Sequence, residues 1–376
     1  MPTGLSKTFC IFPFVQTVVR TDGSLGPCCR IQTDQKIQNT SIEDFWHSDD
    51  VDSIKKNIIT GVGDSRCSVC YNDELQFGKS MRTDALSDYK FYNDKHYLKL
   101  LDHHNLGNTV FPKRFELHLG NLCNLKCLTC GPSDSSAFLA ENRVLRISDH
   151  EQKNYQLSDS TIDKILTETL KHKVDLLDLR GGETMLMPSI KKKLLEWPQD
   201  QADNLTIRIQ TNCTVMDSDW LEIFKKFKQF EIMMSIDGYK QDNEYIRFPS
   251  RWIDIENNVD VITKLTNAKT YVNCTVSNLN LLLLPRLINW CRQRDIFFHW
   301  SALHSPAEFA YTNLPNDLFI QAQQNLSGYA EVHALTTQMS DNTHWDNFCQ
   351  IIDARDNYRK NRIFDILPQL KLYWKK

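Results

Sequence analysis

The sequence predicts an α/β protein: a partial (β/α)6 barrel with an N-terminal cysteine-rich cluster domain and a C-terminal helical extension. Three observations predict it. Between Phe115 and His304, short apolar runs alternate with helix-length amphipathic stretches, the pattern of repeated βα units on a parallel sheet. The cysteines gather in two groups instead of spreading evenly. The length, 376 residues, suits two or three domains at roughly 100–200 residues each. The expected boundaries are 1–100, 111–305 and 306–376.

The expected strands are Phe115–Gly120, Val174–Arg180, Leu205–Gln210, Phe230–Ile236, Thr270–Val276 and Phe297–Leu303. Between them lie amphipathic stretches: Asp134–Arg146, Asp159–His172, Ser189–Trp197, Asp217–Phe227, Trp252–Leu265 and Leu281–Arg294. Crossovers between such strands are right-handed. Six units fall short of the eight of a closed barrel, so one side stays open for a substrate. Ligands are expected beyond the carboxyl ends of the strands.

The N-terminal segment reads differently. Val15–Arg20 is β-like, Asp22-Gly23 is a hairpin turn, and Ser24–Arg30 returns. Ser48 is placed to cap a helix that ends before Gly61. Cys67-Ser68-Val69-Cys70 and a further helical stretch follow. Beyond about Ser305 the periodicity is mixed, and helices covering the core are expected. The soft boundary lies near Lys95–Phe111. No internal repeat or low-complexity segment is visible.

Composition excludes little but orders the classes. With 41% apolar and 24% charged residues, the chain resembles ordinary soluble proteins. A net charge of −3 supplies no basic field, so no nucleic-acid partner is expected. No apolar run approaches the roughly 20 residues of a membrane span, and Leu279–Trp290 is broken by Pro285 and Arg286. Met1–Lys7 is too short and polar for a signal peptide before Cys10. A cytoplasmic location is the expectation, and there disulfides are disfavoured.

Of twelve cysteines, Cys10, Cys28, Cys29, Cys67 and Cys70 form one group and Cys123, Cys127 and Cys130 the other. Cys213, Cys274, Cys291 and Cys349 stand alone. The pattern points to two metal sites plus packing cysteines. The loop Gly120-Asn121-Leu122-Cys123-Asn124-Leu125-Lys126-Cys127-Leu128-Thr129-Cys130 directly follows the first core strand. Three thiolates so spaced wrap one face of a cubane cluster, which usually takes four. With no fourth cysteine nearby, one iron is left for an outside ligand. The alternative is zinc completed by a distant fourth ligand.

Cys123-x3-Cys127-x2-Cys130 after the first strand of a βα series resembles the radical S-adenosylmethionine (radical SAM) superfamily. The resemblance implies a [4Fe–4S] cluster on the three cysteines, with SAM chelating the fourth iron. It implies reductive cleavage of SAM to methionine and a 5′-deoxyadenosyl radical that abstracts a substrate hydrogen. Thr129 departs from the family's usual aromatic residue before the last cysteine. Gly181-Gly182-Glu183, ending the second strand, resembles the methionine-amino motif, with Thr184 in place of proline. The glycines are read as letting the backbone approach a ligand, and Glu183 as accepting from an ammonium. Thr211-Asn212 resembles the family's Thr-Asn-Gly, with Cys213 for glycine. Ser235-Ile236-Asp237-Gly238 resembles Ser-Leu-Asp-Gly, its hydroxyl and carboxylate suiting ribose. Arg247 stands where relatives bind the SAM carboxylate; the alternative is a surface salt bridge. Val276 to Asn278 fall where relatives touch adenine.

At the N-terminus, Cys10-x2-Pro13, Asp22-Gly23, Pro27-Cys28-Cys29 and Cys67-x2-Cys70 with Glu74, Gly78 and Ser80 resemble the SPASM/twitch auxiliary-cluster domain. In that family the domain follows the core; here it precedes it. The resemblance implies a second [4Fe–4S] cluster on Cys10, Cys28, Cys67 and Cys70. A structural zinc is the alternative. If Asp22-Gly23 is the turn, Cys28 faces roughly Thr17, so Cys10 reaches the site only through a bend, expected at Pro13. Adjacent strand residues point opposite ways, so Cys28 and Cys29 compete, with Cys28 favoured.

The expected activity is a radical SAM oxidoreductase that oxidises or crosslinks a peptide or protein side chain. The auxiliary cluster would accept the electron, and a flavodoxin or ferredoxin would donate one. The alternatives are a dehydrogenase or epimerase of a small sugar or alcohol, or a non-catalytic metal scaffold. An epimerase would need a hydrogen-atom donor, for which Cys213 is placed. Cys274, Cys291 and Cys349 read as core residues, and so do Trp290 and Trp300. Lys191-Lys192-Lys193 reads as a solvated helix face and His103-His104 as a solvated helix end.

Overall fold

The computed structural model describes residues 6–87, 111–145 and 156–374. His103-His104 and most of the soft boundary lie outside these residues. An eight-stranded sheet organises the chain, in the order β2-β1-β3-β4-β5-β6-β7-β8. Its strands are β1 Gln16–Val19, β2 Leu25–Gly26, β3 Arg114–His118, β4 Leu176–Arg180, β5 Thr206–Thr211, β6 Gln229–Ser235, β7 Ala268–Val276 and β8 Phe297–Ala302. From β3 to β8 every neighbouring pair is parallel. These six strands match the expected ones to within a few residues at each end.

Period-two alternation sorts the sheet into two faces. Phe115, Leu117, Leu177, Leu179, Ile207, Ile209, Ile232, Met234 and Val272 share one core with Ile162 and Ile165, Ile190 and Leu194, Trp220 and Phe224, Ile255 and Val259, and Leu287 and Ile288. Those pairs come from Asp159–His172, Pro188–Leu195, Ser218–Lys226, Trp252–Ile262 and Leu284–Gln293, so the crossover helices all cover the same face. The other face is polar. Glu116, Asp178, Arg208 and Glu231 lie side by side in register. Arg208 pairs with Asp178 at 3.3 Å and with Glu231, and Arg180 pairs with Asp178 at 3.0 Å.

The cysteine-rich segment is not set apart from this sheet. β1 runs parallel to β3, with Gln16 opposite Arg114 and Val19 opposite Leu117. All four β1 residues are buried, so its backbone needs partners on both sides. β2 supplies the second side in antiparallel register, Val19 opposite Leu25. A four-residue run gives too short a pattern to show this membership. The turn is at Gly23, φ 80°, with Gly23 N donating to Arg20 O at 2.8 Å. Before β1, Phe12–Val15 forms one helical turn with Pro13 in its first positions, which is the expected bend after Cys10.

Ser48 caps Asp49–Thr60, accepting from Val51 N, and Gly61 ends that helix with φ 80°. The C-terminal region forms Asn316–Leu326, Trp345–Arg359 and short 3-10 turns. Their buried residues, including Leu318, Phe319, Phe348 and Ile352, join the main core. Among the described residues, no helix is long and apolar enough to cross a membrane.

Candidate functional site

The strands' carboxyl ends gather most of the predicted residues. The cysteine loop leaves β3 and is fixed from three sides. From β4, Gly182 N donates to Gly120 O at 2.8 Å and Glu183 N to Leu122 O at 2.7 Å. From the segment after Gln241–Ile246, Lys126 N donates to Phe248 O and Leu128 N to Ile246 O. Within the loop, Ser135 Oγ donates to Leu125 O and Asn121 Nδ2 to Pro132 O. Cys127 is buried; Cys123 and Cys130 are partly exposed.

These two hydrogen bonds, from Lys126 N and Leu128 N, set Arg247 against Cys127, its Nη1 3.9 Å from Sγ. On the other flank Asn212 Nδ2 is 4.0 Å from Cys123 Sγ and 3.0 Å from Asn124 Oδ1. Burial pushes the Cys123 thiol up to about 11. The hydrogen bond between Cys127 and Cys130 holds Cys127 below its ordinary value, helped by Arg247, and leaves the proton on Cys130. This chemistry fits a thiolate-bound cluster: three thiols on one loop, with a guanidinium against one of them. Among the described residues, no three Cys, His, Asp or Glu side chains stand close enough to hold a single ion.

Gly181 and Gly182 are required by the cysteine loop itself. A Cβ on Gly182 would lie 2.4 Å from Leu122 O, and one on Gly181, φ 152°, 2.8 Å from Gly120 O. Glu183 has no exposed surface. Its Oε1 accepts from Met185 N and Thr211 Oγ1, and its Oε2 from Asn212 N at 2.6 Å. The side chain thus ties the end of β4 to the end of β5. Asp237 is likewise buried: Oδ1 accepts from Thr275 N, and Oδ2 pairs with Arg247 Nε at 2.8 Å. Arg247 is 8% exposed, so the salt bridge read as its alternative exists but is not a surface one.

Ser235 is buried and accepts from Gln210 Nε2. Val276 sits in the core, and its carbonyl accepts from Leu303 N. Cys213 takes a positive φ of 60° where the resembling motif has glycine. Its thiol is fully buried in the main core, which supports packing. Cys274, Cys291 and Cys349 lie in that core too.

The N-terminal thiols interact electrostatically. Burial pushes Cys10 well up, and Cys28, Cys67 and Cys70 add to it. Burial carries Cys28 up to about 11, with Cys67 and Cys70 again adding to it. Burial raises Cys29 to about 12, Glu116 adds to this, and its Sγ donates to Met81 Sδ, a residue packed against the core of Cys10, Cys28 and Cys67. Cys10, Cys28 and Cys67 lie in one small core, and Cys70 interacts electrostatically with Cys10 and Cys28. Arg82 closes the arrangement by binding Glu74 and donating to Phe9 O at 2.7 Å, while Ser80 Oγ donates to Glu74.

Three groups escaped the sequence reading. Asn124 and Asn243 brace Asn212 and Asp237. Glu141, Arg355 and Arg359 form a buried charge cluster beneath the loop. Arg355 and Arg359 are four apart on the helix face that also buries Phe348 and Ile352; charges at such spacing on an apolar face were the available signal.

Residues 117–287 match the model of the Radical SAM superfamily. No curated protein matches. Among solved structures, anSMEcpe with bound AdoMet is 17% identical, with TM-score 0.42, over 70% of this chain and 67% of that one. Streptococcus suis SuiB bound to S-adenosylmethionine is 14% identical, with TM-score 0.42, over 86% and 69%. The Kitasatospora setae methyltransferase TsrM is 9% identical, with TM-score 0.38, over 50% and 36%. Likeness at this level says nothing about substrate.

Proposed function

We propose that this chain, which carries a radical SAM domain, cleaves SAM reductively and oxidises or crosslinks a peptide or protein side chain. One observation carries the reading: a three-thiol loop at the end of β3 with Arg247 on Cys127 and Asn212 beside Cys123. Cys123, Cys127 and Cys130 would hold a [4Fe–4S] cluster. When bound, that cluster supplies the electron that splits SAM into methionine and the 5′-deoxyadenosyl radical, which takes a hydrogen atom from the substrate.

The chain's own residues position the cofactor. Gly181 and Gly182 offer backbone at the rim of the site. Glu183 acts through Thr211 and Asn212, which it holds by their hydroxyl and amide. Arg247 would bind the SAM carboxylate, and Asp237 orients it. Ser235 and Val276 close the strand ends where ribose and adenine would lie. Cys10, Cys28, Cys67 and Cys70 would hold a second [4Fe–4S] cluster. Four thiols suit an electron acceptor better than a substrate ligand, because no iron is left open. That supports net oxidation. A flavodoxin or ferredoxin would supply the reducing electron.

The test is product release. Anaerobically reconstituted protein, reduced with dithionite and given SAM, is expected to release 5′-deoxyadenosine. A fully iron-loaded sample that releases none would favour a metal scaffold.

A further inference from the structure

Beneath the cysteine loop lies a charge cluster with more cations than anions. Glu141, with no exposed surface, receives Arg355 Nη1 at 2.7 Å, Arg359 Nη2 at 2.8 Å and Lys126 Nζ at 3.2 Å. Three cations thus share one carboxylate. Asp356 is the next acid, and it accepts from Tyr245 Oη and Ile363 N. Counting it, one positive charge remains unmatched among the groups that are not fully exposed; Asp353, which also acts on Asp356, stands in solvent. Arg355 and Arg359 are 8% exposed or less, and Arg355 Nε and Arg359 Nη1 have no hydrogen-bond partner. The rings of Phe138 and Phe248 lie within 5.1 Å of a guanidinium. They soften the cost of burying charge but supply no counter-ion.

The surplus has an address. Arg359 Nη2 donates to Lys126 O at 2.9 Å, the carbonyl of the peptide bond into Cys127. A helix more than two hundred residues downstream thereby reaches the metal-binding loop. Buried unmatched charge is unfavourable unless an anion stands nearby. A cubane on three thiolates is that anion.

We propose that Arg355 and Arg359 are positioning residues that raise the reduction potential of the cluster held by Cys123, Cys127 and Cys130. This rests on the cluster assignment above. Reduction adds one negative charge, and fixed positive charge in a low-dielectric interior favours the more negative state. The C-terminal helix therefore makes SAM cleavage accessible to a weaker reductant.

The experiment is an EPR-monitored redox titration of the full, anaerobically reconstituted chain, following the signal that changes on adding SAM. Arg355→Gln is expected to move the one-electron equilibrium about tenfold toward the oxidised state, or 59 mV. Arg355→Lys is expected to restore it. Glu141→Gln is expected to move it the opposite way, which a merely structural role would not produce. Should Glu141→Gln fail to fold, the Arg355 pair decides alone. Unchanged equilibria, or shifts of the same sign in both variants, overturn the proposal. A wild-type protein with loaded iron but no SAM-responsive signal overturns the cluster assignment instead.

Discussion

Glu183 shows how a motif residue can act through its neighbours. Its two oxygens meet three donors, Met185 N, Thr211 Oγ1 and Asn212 N, and burial raises its pKa. In Glu183→Gln one oxygen becomes an amide donor, which must face either Asn212 N–H or the Thr211–Met185 pair. One buried donor then loses its acceptor. A loss of about 1–3 kcal/mol is expected, read from urea unfolding of the apo protein. The cysteines allow a cleaner partition. About eight irons per chain are expected for two cubanes, and Cys67→Ala with Cys70→Ala should leave roughly four. Loss of all iron would mean that the two thiol sets are not independent. At this scale the thiols, Glu183, Asn212, Asp237 and Arg247 were legible as candidates, because spacing and residue type carry them. Their partners were not. Asp237 was read as a ribose ligand, and its pairing with Arg247 depends on how the helix Gln241–Ile246 folds back over the end of β6, which no local pattern encodes.

At the scale of elements, β4 and the cysteine loop behave as one unit. Gly182→Ala would drive a Cβ into Leu122 O at 2.4 Å, and backbone cannot swing aside as a side chain can. The expected result is poor iron retention with helix and strand content preserved, measured by iron analysis beside circular dichroism. The glycines were legible, but not that they also accommodate the loop's carbonyls. The helix Trp345–Arg359 gives a pH prediction. Burial raises Asp356 to about 6, above the ordinary 3.9 or so of an aspartate. A carboxyl raised on folding contributes stability in full below its unfolded value and loses it as pH rises through the folded one. Asp356→Asn is therefore expected to gain stability relative to wild type between about pH 4 and 6. A constant difference across that window would contradict the assignment. The crossover helices were legible through their apolar spacing; Gln241–Ile246, only six residues long, was too short to show a period.

Across the whole molecule, one sheet connects the two thiol groups. β3 launches the Cys123 loop, and its neighbour β1 leads from the turn after Cys10. The Cys29 thiol interacts electrostatically with Glu116 of β3 and Arg180 of β4. The six βα units were legible because each repeats the same apolar grammar. The N-terminal strands joining that sheet were not, since pairing of Gln16–Val19 with Arg114–Leu117 spans almost a hundred residues and four positions. The central claim is that three thiolates leave one iron free for SAM. It is tested most directly by EPR of the reduced Cys67→Ala, Cys70→Ala protein with SAM bearing a 17O-labelled carboxylate. Broadening of the cluster signal by the label is expected. An unbroadened spectrum at saturating SAM would contradict the claim.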